Sequence, residues 1–222
     1  MAEILPLNFP IPAENAIASY NWINVADGTG IIHFKGFTSN DGTLRYNLGT
    51  EDVYSHVIET AADRTGDTAW YKNLDLDFDL SAFNSPRIIK GTAMITWGSY
   101  GYEETSTGTQ KIKWTFKIRK WDGSTESEIA NATSEEITLP NAATDIHAKC
   151  ITITIPLTSF KIGEILRLTV EGYTYRDNAG GNTRIALAHD PTNRDGTYIN
   201  PSTDDPETTT KLDFYCPFEV NL

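Results

Sequence analysis

Apolar and polar residues alternate with a period of two in many short segments of this chain. The clearest runs cover residues 30–37, 52–59, 73–80, 87–97, 110–121, 147–157, 162–175, 184–188 and 211–222, with shorter ones at 44–48 and 135–139. Such alternation places successive side chains on opposite faces of a β-strand, whereas no comparably long segment has helical periodicity. The pattern therefore predicts an all-β protein of about ten strands.

Turns rich in Gly, Asn and Asp separate these segments and indicate how the strands are arranged. Many short strands joined in this way are typical of two antiparallel sheets packed face to face. We therefore expect an antiparallel β-sandwich of two sheets, of jelly-roll type. Residues 1–16 contain three prolines and predict an extended N-terminal arm. Residues 17–222 are expected to form a single domain with a long loop near 190–210, a length that is usually functional or mobile.

Two of the predicted strands each display a ladder of a single charge. Asp75, Asp77 and Asp79 alternate with apolar residues, and within 110–121 so do Lys111, Lys113, Lys117 and Arg119. A ladder of like charges repels itself unless neighbouring strands supply the opposite sign. We therefore expect the two strands to share one sheet, as neighbours or one strand apart.

The last twelve residues, KLDFYCPFEVNL, combine a regular strand pattern with a proline. Pro217 cannot donate a hydrogen bond to a neighbouring strand, which confines the segment to a sheet edge or to a pairing interrupted at that point. An uncovered apolar edge would promote aggregation, so we expect the N-terminal arm, a neighbouring subunit or a shell protein to cover it. The residues predicted to bind partners in this way are Leu5, Pro6, Phe9, Pro10, Phe214, Pro217 and Phe218.

Composition narrows the possible functions. The formal net charge of −12 favours repulsion from nucleic acid. The first fifteen residues lack the basic and apolar regions of a signal peptide, and no apolar run is long enough to span a membrane. We therefore expect a protein that is made in the cytoplasm and binds neither nucleic acid nor membranes.

No motif for catalysis, a cofactor or a metal is recognisable. The aspartates at 75, 77 and 79 resemble the start of a calcium-binding EF-hand loop, but Leu80 and Pro86 occupy positions that require glycine and glutamate. Residues 176–182 and 190–196 contain calcium-type ligands that are equally typical of turns, and we favour the turn interpretation. We therefore predict no catalytic residues, no cofactor, no metal site and no enzymatic activity. His189, at the start of the long loop, is expected to brace that loop through hydrogen bonds.

The cysteines and aromatic residues suggest two further expectations. Cys150 and Cys216 are too few for a disulfide framework, and both lie in strand-like runs, so we expect two buried thiols. The chain has five tryptophans and ten tyrosines, which are the usual platforms for stacking sugars. The best candidates are those expected in loops, which are Trp70, Tyr71, Tyr100 and Tyr102, although covering the core or an interface is the favoured role for them.

Three stretches, residues 19–37, 185–197 and 210–222, resemble segments of virion proteins of tailed bacteriophages. The resemblance is to the β-sandwich class that decorates or reinforces the head. In such proteins, an N-terminal arm and a hydrophobic terminal strand tie subunits to each other or to the shell. The resemblance implies a capsid decoration protein of the virion, homo-oligomeric and bound to proteins such as the major capsid protein. The alternative is a carbohydrate-binding or receptor-binding module of a tail or fibre, which would display a solvated row of aromatic residues and bind a glycan.

Overall fold

The computed structural model describes residues 18–19, 29–65, 68–103, 108–140, 144–177, 182–194 and 209–219. This part of the chain is built of β-strands and contains no helix, and hence none that could span a membrane. The prediction of an all-β protein is confirmed. The strands are β1 (Ala18–Ser19), β2 (Thr29–Asn40), β3 (Leu44–Gly49), β4 (Glu59–Thr65), β5 (Ala69–Asp79), β6 (Arg87–Glu103), β7 (Gln110–Trp121), β8 (Glu126–Thr133), β9 (Ile137–Thr138), β10 (Thr144–Phe160), β11 (Ile165–Arg176), β12 (Asn182–Ala188) and β13 (Leu212–Glu219).

The strands form a continuous hydrogen-bonded sheet that folds over into two layers. The first layer contains β4, β12, β6, β13, β2 and β3, with β10 on the other edge of β6; the second contains β5, β11, β7 and β8, with β9 beside β7. A single parallel bridge between Asn47 and Asp79 joins the layers, and the other pairings are antiparallel. Apolar side chains fill the space between them, as where the rings of Trp97 and Phe116 approach to 4.6 Å. The predicted β-sandwich is therefore present.

The long strand β6 organises the first layer. One of its edges pairs with β10 over almost its whole length, while the other pairs first with β13 and then, from Ser99, with β12. The chain between β12 and β13 returns to β6 at Gly98, whose N–H donates to the Lys211 carbonyl. A Cβ atom at Gly98 would lie 1.8 Å from the Thr209 carbonyl oxygen. Only glycine therefore permits this close approach.

The terminal strand β13 is an interior strand. It pairs with β2 on one side and with β6 on the other, and the side chains of Phe214 and Cys216 are completely buried. The register against β6 shifts between Tyr215 and Phe218, so Pro217 lies where the ladder is interrupted, next to Gly91. Of the two arrangements that the proline allowed, the interrupted pairing is correct and the sheet edge is wrong.

This position removes the reason for expecting a partner on the terminal strand. Phe214, Pro217 and Phe218 are buried within this chain and do not form an uncovered edge. The remaining residues of that hypothesis, Leu5, Pro6, Phe9 and Pro10, lie outside the described residues, as does the whole of the predicted arm. Of the predicted long loop, the structure describes only the two ends, residues 190–194 and 209–210.

The two cysteines differ in their surroundings. Both are free, as expected, but Cys150 is exposed on β10 and only Cys216 is buried. The prediction of a buried thiol is therefore wrong for Cys150. The alternation in β10 explains the difference, because Ile151 and Ile153 on either side of Thr152 point inward while Cys150 shares the outward face with Thr152 and Thr154.

An interior β13 makes a specific prediction about stability. Replacing buried Phe214 by alanine removes a ring from the core and should lower the free energy of unfolding by about 3–5 kcal/mol. The matched control is Leu157→Ala, at a side chain that is 62% exposed, which should change it by at most about 0.5 kcal/mol. Denaturant unfolding of both variants measures the difference. Equal effects of the two substitutions would contradict the interior position.

Candidate functional site

The outer face of the second layer carries both predicted charge ladders. Strand β11 lies between β5 and β7 and pairs with each, so the acidic and basic strands are one strand apart, as expected. Arg167 of β11 binds both carboxylate oxygens of Asp79, at 2.6 and 2.8 Å, and also Asp77 and Glu126. These carboxylates raise the pKa of the Arg167 guanidinium above its ordinary value. Most of this face is thereby neutralised internally.

Glu171 occupies the centre of the same face. Its side chain is only 3% exposed, and it accepts hydrogen bonds from Lys117 at 2.9 Å and from Tyr173 at 2.9 Å, with Lys72 at 3.2 Å. Burial acts to raise the pKa of Glu171, but the hydrogen bonds from Lys117, Tyr173 and Lys72 outweigh it and lower the pKa. Glu171 is therefore an ionised structural carboxylate that fixes the tyrosine and the lysines around it.

Beyond Glu171, the face changes from charged to aromatic. The register places Trp70 of β5 opposite Tyr175 of β11, and Tyr173 opposite Lys113 of β7. We call Trp70, Tyr173, Tyr175 and Lys113 the aromatic patch. All four side chains are partly exposed, and each lies on the solvent side of a regular strand, so the patch is a preformed surface on a rigid sheet.

Two ammonium groups lie over the rings of the aromatic patch, and one of them is Lys111 Nζ, 5.9 Å from the centre of the Tyr175 ring. Lys113 Nζ lies 3.9 Å from the centre of the Trp70 ring and 5.9 Å from that of Tyr173, while the Trp70 and Tyr175 rings are 5.5 Å apart. These are cation–π distances. Among the described residues, no carboxylate lies within ion-pair distance of Lys113, whereas the neighbouring Lys111 binds Glu136 at 2.9 Å. The patch therefore combines stacking surface with an ammonium that has no carboxylate within ion-pair distance among the described residues, and that Glu136, bound to Lys111, attracts only from farther away.

The four aromatic residues predicted as candidate stacking residues lie in different parts of the structure. Trp70 and Tyr71 lie in strand β5, not in a loop, and alternation directs Tyr71 away from the patch toward Arg64, 5.1 Å from its ring. Tyr100 and Tyr102 lie in β6 of the other layer, again not in a loop. Tyr100 is largely buried, and this burial is the main cause that raises its pKa to about 12. Only Trp70 of the four belongs to the patch.

Sequence reasoning missed Tyr173 and Tyr175. Both belong to the run EGYTYR at the end of β11, where they alternate with buried Gly172, Thr174 and Arg176. That alternation is visible in the sequence and indicates that the two tyrosines share a face. Their pairing with Trp70 is not visible, because it depends on a register shift between Gly172 and Tyr173.

A second cluster of polar side chains surrounds His189 in the interior. His189 Nε2 lies 2.9 Å from Thr60 Oγ1, and Nδ1 lies 3.5 Å from Ser55 Oγ. Asp190 accepts hydrogen bonds from the Ser55 and Arg194 backbone N–H groups, and no hydrogen bond joins it to the imidazole among the described residues. The imidazole thus joins the segment before the loop to Ser55 and Thr60, and whether it braces the loop itself stays a prediction.

This interior cluster contains serine, histidine and aspartate but lacks the arrangement of a catalytic triad. In a triad the carboxylate orients the imidazole, and the serine is accessible to substrate. Here Ser55, His189 and Asp190 are at most 1% exposed. Burial lowers the pKa of His189 to about 4, so the imidazole is neutral at neutral pH. The described residues also contain no group of three or more His, Cys, Asp or Glu side chains placed to hold a metal ion.

Comparison with known proteins identifies the fold but no family. Neither a protein-family model nor a curated protein matches the sequence. Among solved structures, an aminopeptidase from a marine sediment Thaumarchaeota archaeon matches with a TM-score of 0.50 and 9% identity, over 85% of this chain and 37% of that one. A CocE/NonD family hydrolase from Staphylococcus aureus matches with a TM-score of 0.48 and 14% identity, over 95% of this chain and 38% of that one. This chain thus spans less than two fifths of those proteins.

A weaker likeness is to a virus structure. The infectious bursal disease virus Gt strain matches with a TM-score of 0.28 and 10% identity, over 86% of this chain and 52% of the viral one. A score this low carries no weight for a virion role. The aminopeptidase match corrects the prediction that the chain is not an enzyme. The fold of this chain occurs within that aminopeptidase, so the lack of a recognisable catalytic motif in the sequence is no ground for excluding enzymatic activity.

The buried imidazole predicts a pH dependence of stability. An unfolded histidine has a pKa near 6.5, whereas that of folded His189 is about 4. The unfolded chain therefore binds more protons between these values, so this contribution is complete above pH 6.5 and is lost as the pH falls toward 4. At pH 7 the variant His189→Gln should be less stable than the wild type. When the pH falls from 7 to 5, however, its free energy of unfolding should decrease by less than that of the wild type.

Denaturant unfolding at the two pH values measures this effect. Burial raises the pKa of Glu59 to about 7, so protonation of Glu59 favours the folded state as the pH falls and opposes the effect of His189. The pH dependence of each variant is therefore compared with that of the wild type. The matched control is His56→Gln, at an exposed histidine, which should leave the wild-type pH dependence unchanged. An identical dependence in His189→Gln and the wild type would show that His189 is not the responsible group.

Proposed function

We propose that this protein is a carbohydrate-binding β-sandwich module that holds sugars on the aromatic patch. The observation that supports this is the grouping of Trp70, Tyr173 and Tyr175 on the solvent side of one sheet. Sugar rings present apolar C–H faces that stack on aromatic rings, and their hydroxyls bind nearby polar groups. A partly exposed aromatic row on rigid strands meets both requirements without a deep pocket.

The surroundings of the patch support a binding role over a purely structural one. An aromatic side chain that only covers a core packs on apolar neighbours, as Trp114 and Phe116 do inside the sandwich. The neighbours of Trp70 are instead Tyr175 and the ammonium of Lys113. Glu171 holds the Tyr173 hydroxyl at 2.9 Å, so the ring is oriented before any ligand arrives, which lowers the entropic cost of binding.

The virion hypothesis loses one of the observations behind it, because β13 is an interior strand with a neighbour on each side and not an uncovered edge. The resemblance of the three stretches and the predicted N-terminal arm stay untested. Binding to a major capsid protein, homo-oligomer formation and a location in the virion remain predictions from the sequence. A glycan-binding module is compatible with a tail or fibre protein and equally with one part of a larger hydrolase.

Binding to a panel of immobilised neutral and acidic oligosaccharides tests the proposal. The wild type should bind at least one of them, and Trp70→Ala and Tyr175→Ala should each weaken that binding about tenfold or more, as expected for the loss of a stacked ring. Titration calorimetry with the best ligand gives the affinities.

The neighbouring tyrosine provides a matched control. Tyr71→Ala removes an aromatic residue that is 58% exposed and adjacent in sequence, but directed away from the patch. It should leave sugar affinity unchanged. The proposal fails if no oligosaccharide binds, or if Tyr71→Ala weakens binding as much as Trp70→Ala does.

A further inference from the structure

We infer that the aromatic patch selects sugars that carry a carboxylate, such as uronic or sialic acids. This inference rests on the proposed function and adds the class of ligand. The feature that points to it is Lys113, whose Nζ lies on the Trp70 ring and has no ion-pair partner among the described residues. Every other lysine on this face has one, since Lys72 and Lys117 bind Glu171 and Lys111 binds Glu136.

The position of the ammonium favours an acidic sugar over a neutral one. A neutral sugar that stacks on the Trp70 ring competes with Lys113 Nζ, which lies 3.9 Å from the ring centre, and must disrupt a favourable cation–π contact. A carboxylate-bearing sugar can leave Lys113 in place and accept a charge-assisted hydrogen bond from it while its C–H face lies against Tyr173 or Tyr175. Only the acidic sugar uses all the groups of the patch.

The charges around Lys113 limit how many carboxylates the ligand carries. The protein has a net charge of −12, and the next row of the same face contains Asp75, whose side chain is 49% exposed. A polyanion that extends across the face would meet this carboxylate and the overall negative field. The patch is therefore suited to an oligosaccharide with a single acidic unit, and a densely charged polymer such as heparin should bind poorly.

The experiment compares sugars that differ only in charge. The probes are 3′-sialyllactose, its methyl ester and lactose, together with a disaccharide that ends in glucuronic acid and its methyl ester. Titration calorimetry with the wild type should show at least one acid binding about tenfold or more tightly than its own ester, as expected for one hydrogen bond between charged groups. Added salt should weaken the binding of the acid and leave the binding of the ester unchanged.

Lys113→Gln identifies the group responsible. This variant keeps a long polar side chain at a partly exposed strand position and should fold like the wild type, which thermal melting checks. It should bind the ester at least as tightly as the wild type does, because no ammonium then competes for the Trp70 ring, and it should lose the preference for the acid. Lys90→Gln is the matched control, because Lys90 is an exposed lysine on β6 of the other layer, and it should keep the preference.

The possible outcomes distinguish this inference from the proposed function. If acids and their esters bind equally well, the inference is wrong and the carbohydrate-binding function stands. If the acid is preferred but Lys113→Gln retains the preference, the selection arises elsewhere and the inference is wrong. If no probe binds and the wider panel of oligosaccharides is also negative, both are wrong.

Discussion

Strand β11 can lie between an acidic and a basic strand because its own outward residues carry both charges. Arg167 binds the aspartates of β5, and Glu171 binds Lys117 of β7. A strand without this combination would leave Asp75, Asp77 and Asp79 to repel one another. A slip by one residue would also turn each outward charge toward the core, so the ladder fixes the register of the three strands.

The aromatic patch follows from that register. Once Arg167 is opposite Asp79, the pairing leads to Trp70 opposite Tyr175, with one register shift near Gly172 on the way. Gly172 is itself constrained, since a Cβ there would lie 2.9 Å from the Trp114 ring. The charges in the middle of the face and the tight packing beneath it therefore position the rings at its end, and no loop is needed to build the surface.

The features that the sequence predicts correctly depend on residues close together in one strand, whereas most of those that it misses depend on pairing between distant segments. Alternation predicted most of the strands and the sandwich, and charge predicted the shared sheet of β5 and β7, because these signals lie in the side chains of single strands. The alternation at 52–59 was misleading, since residues 52–58 are not a strand, and alternation did not predict β4 and β8. The place of β13 depended on which strands lie beside it, and a proline allows both an edge and an interrupted interior pairing. Likewise, Tyr173 and Tyr175 were readable as neighbours on β11, but their contact with Trp70 arises from a pairing between segments about a hundred residues apart.

The two polar clusters of this protein differ in what they can offer a ligand. Around His189, the groups of Ser55, Thr60, Asp190 and Arg194 bind one another inside the fold, and a buried polar group that is already satisfied gains little from a new partner. The side chain of Lys113 is also held in place, but by a ring, which satisfies none of its three N–H donors as a carboxylate would. A surface cation kept near aromatic rings, with no carboxylate in ion-pair contact within the described part of the chain, retains its capacity to bind an anion. For that reason a recognition function is better assigned to the outer face of the second layer than to the histidine in the interior.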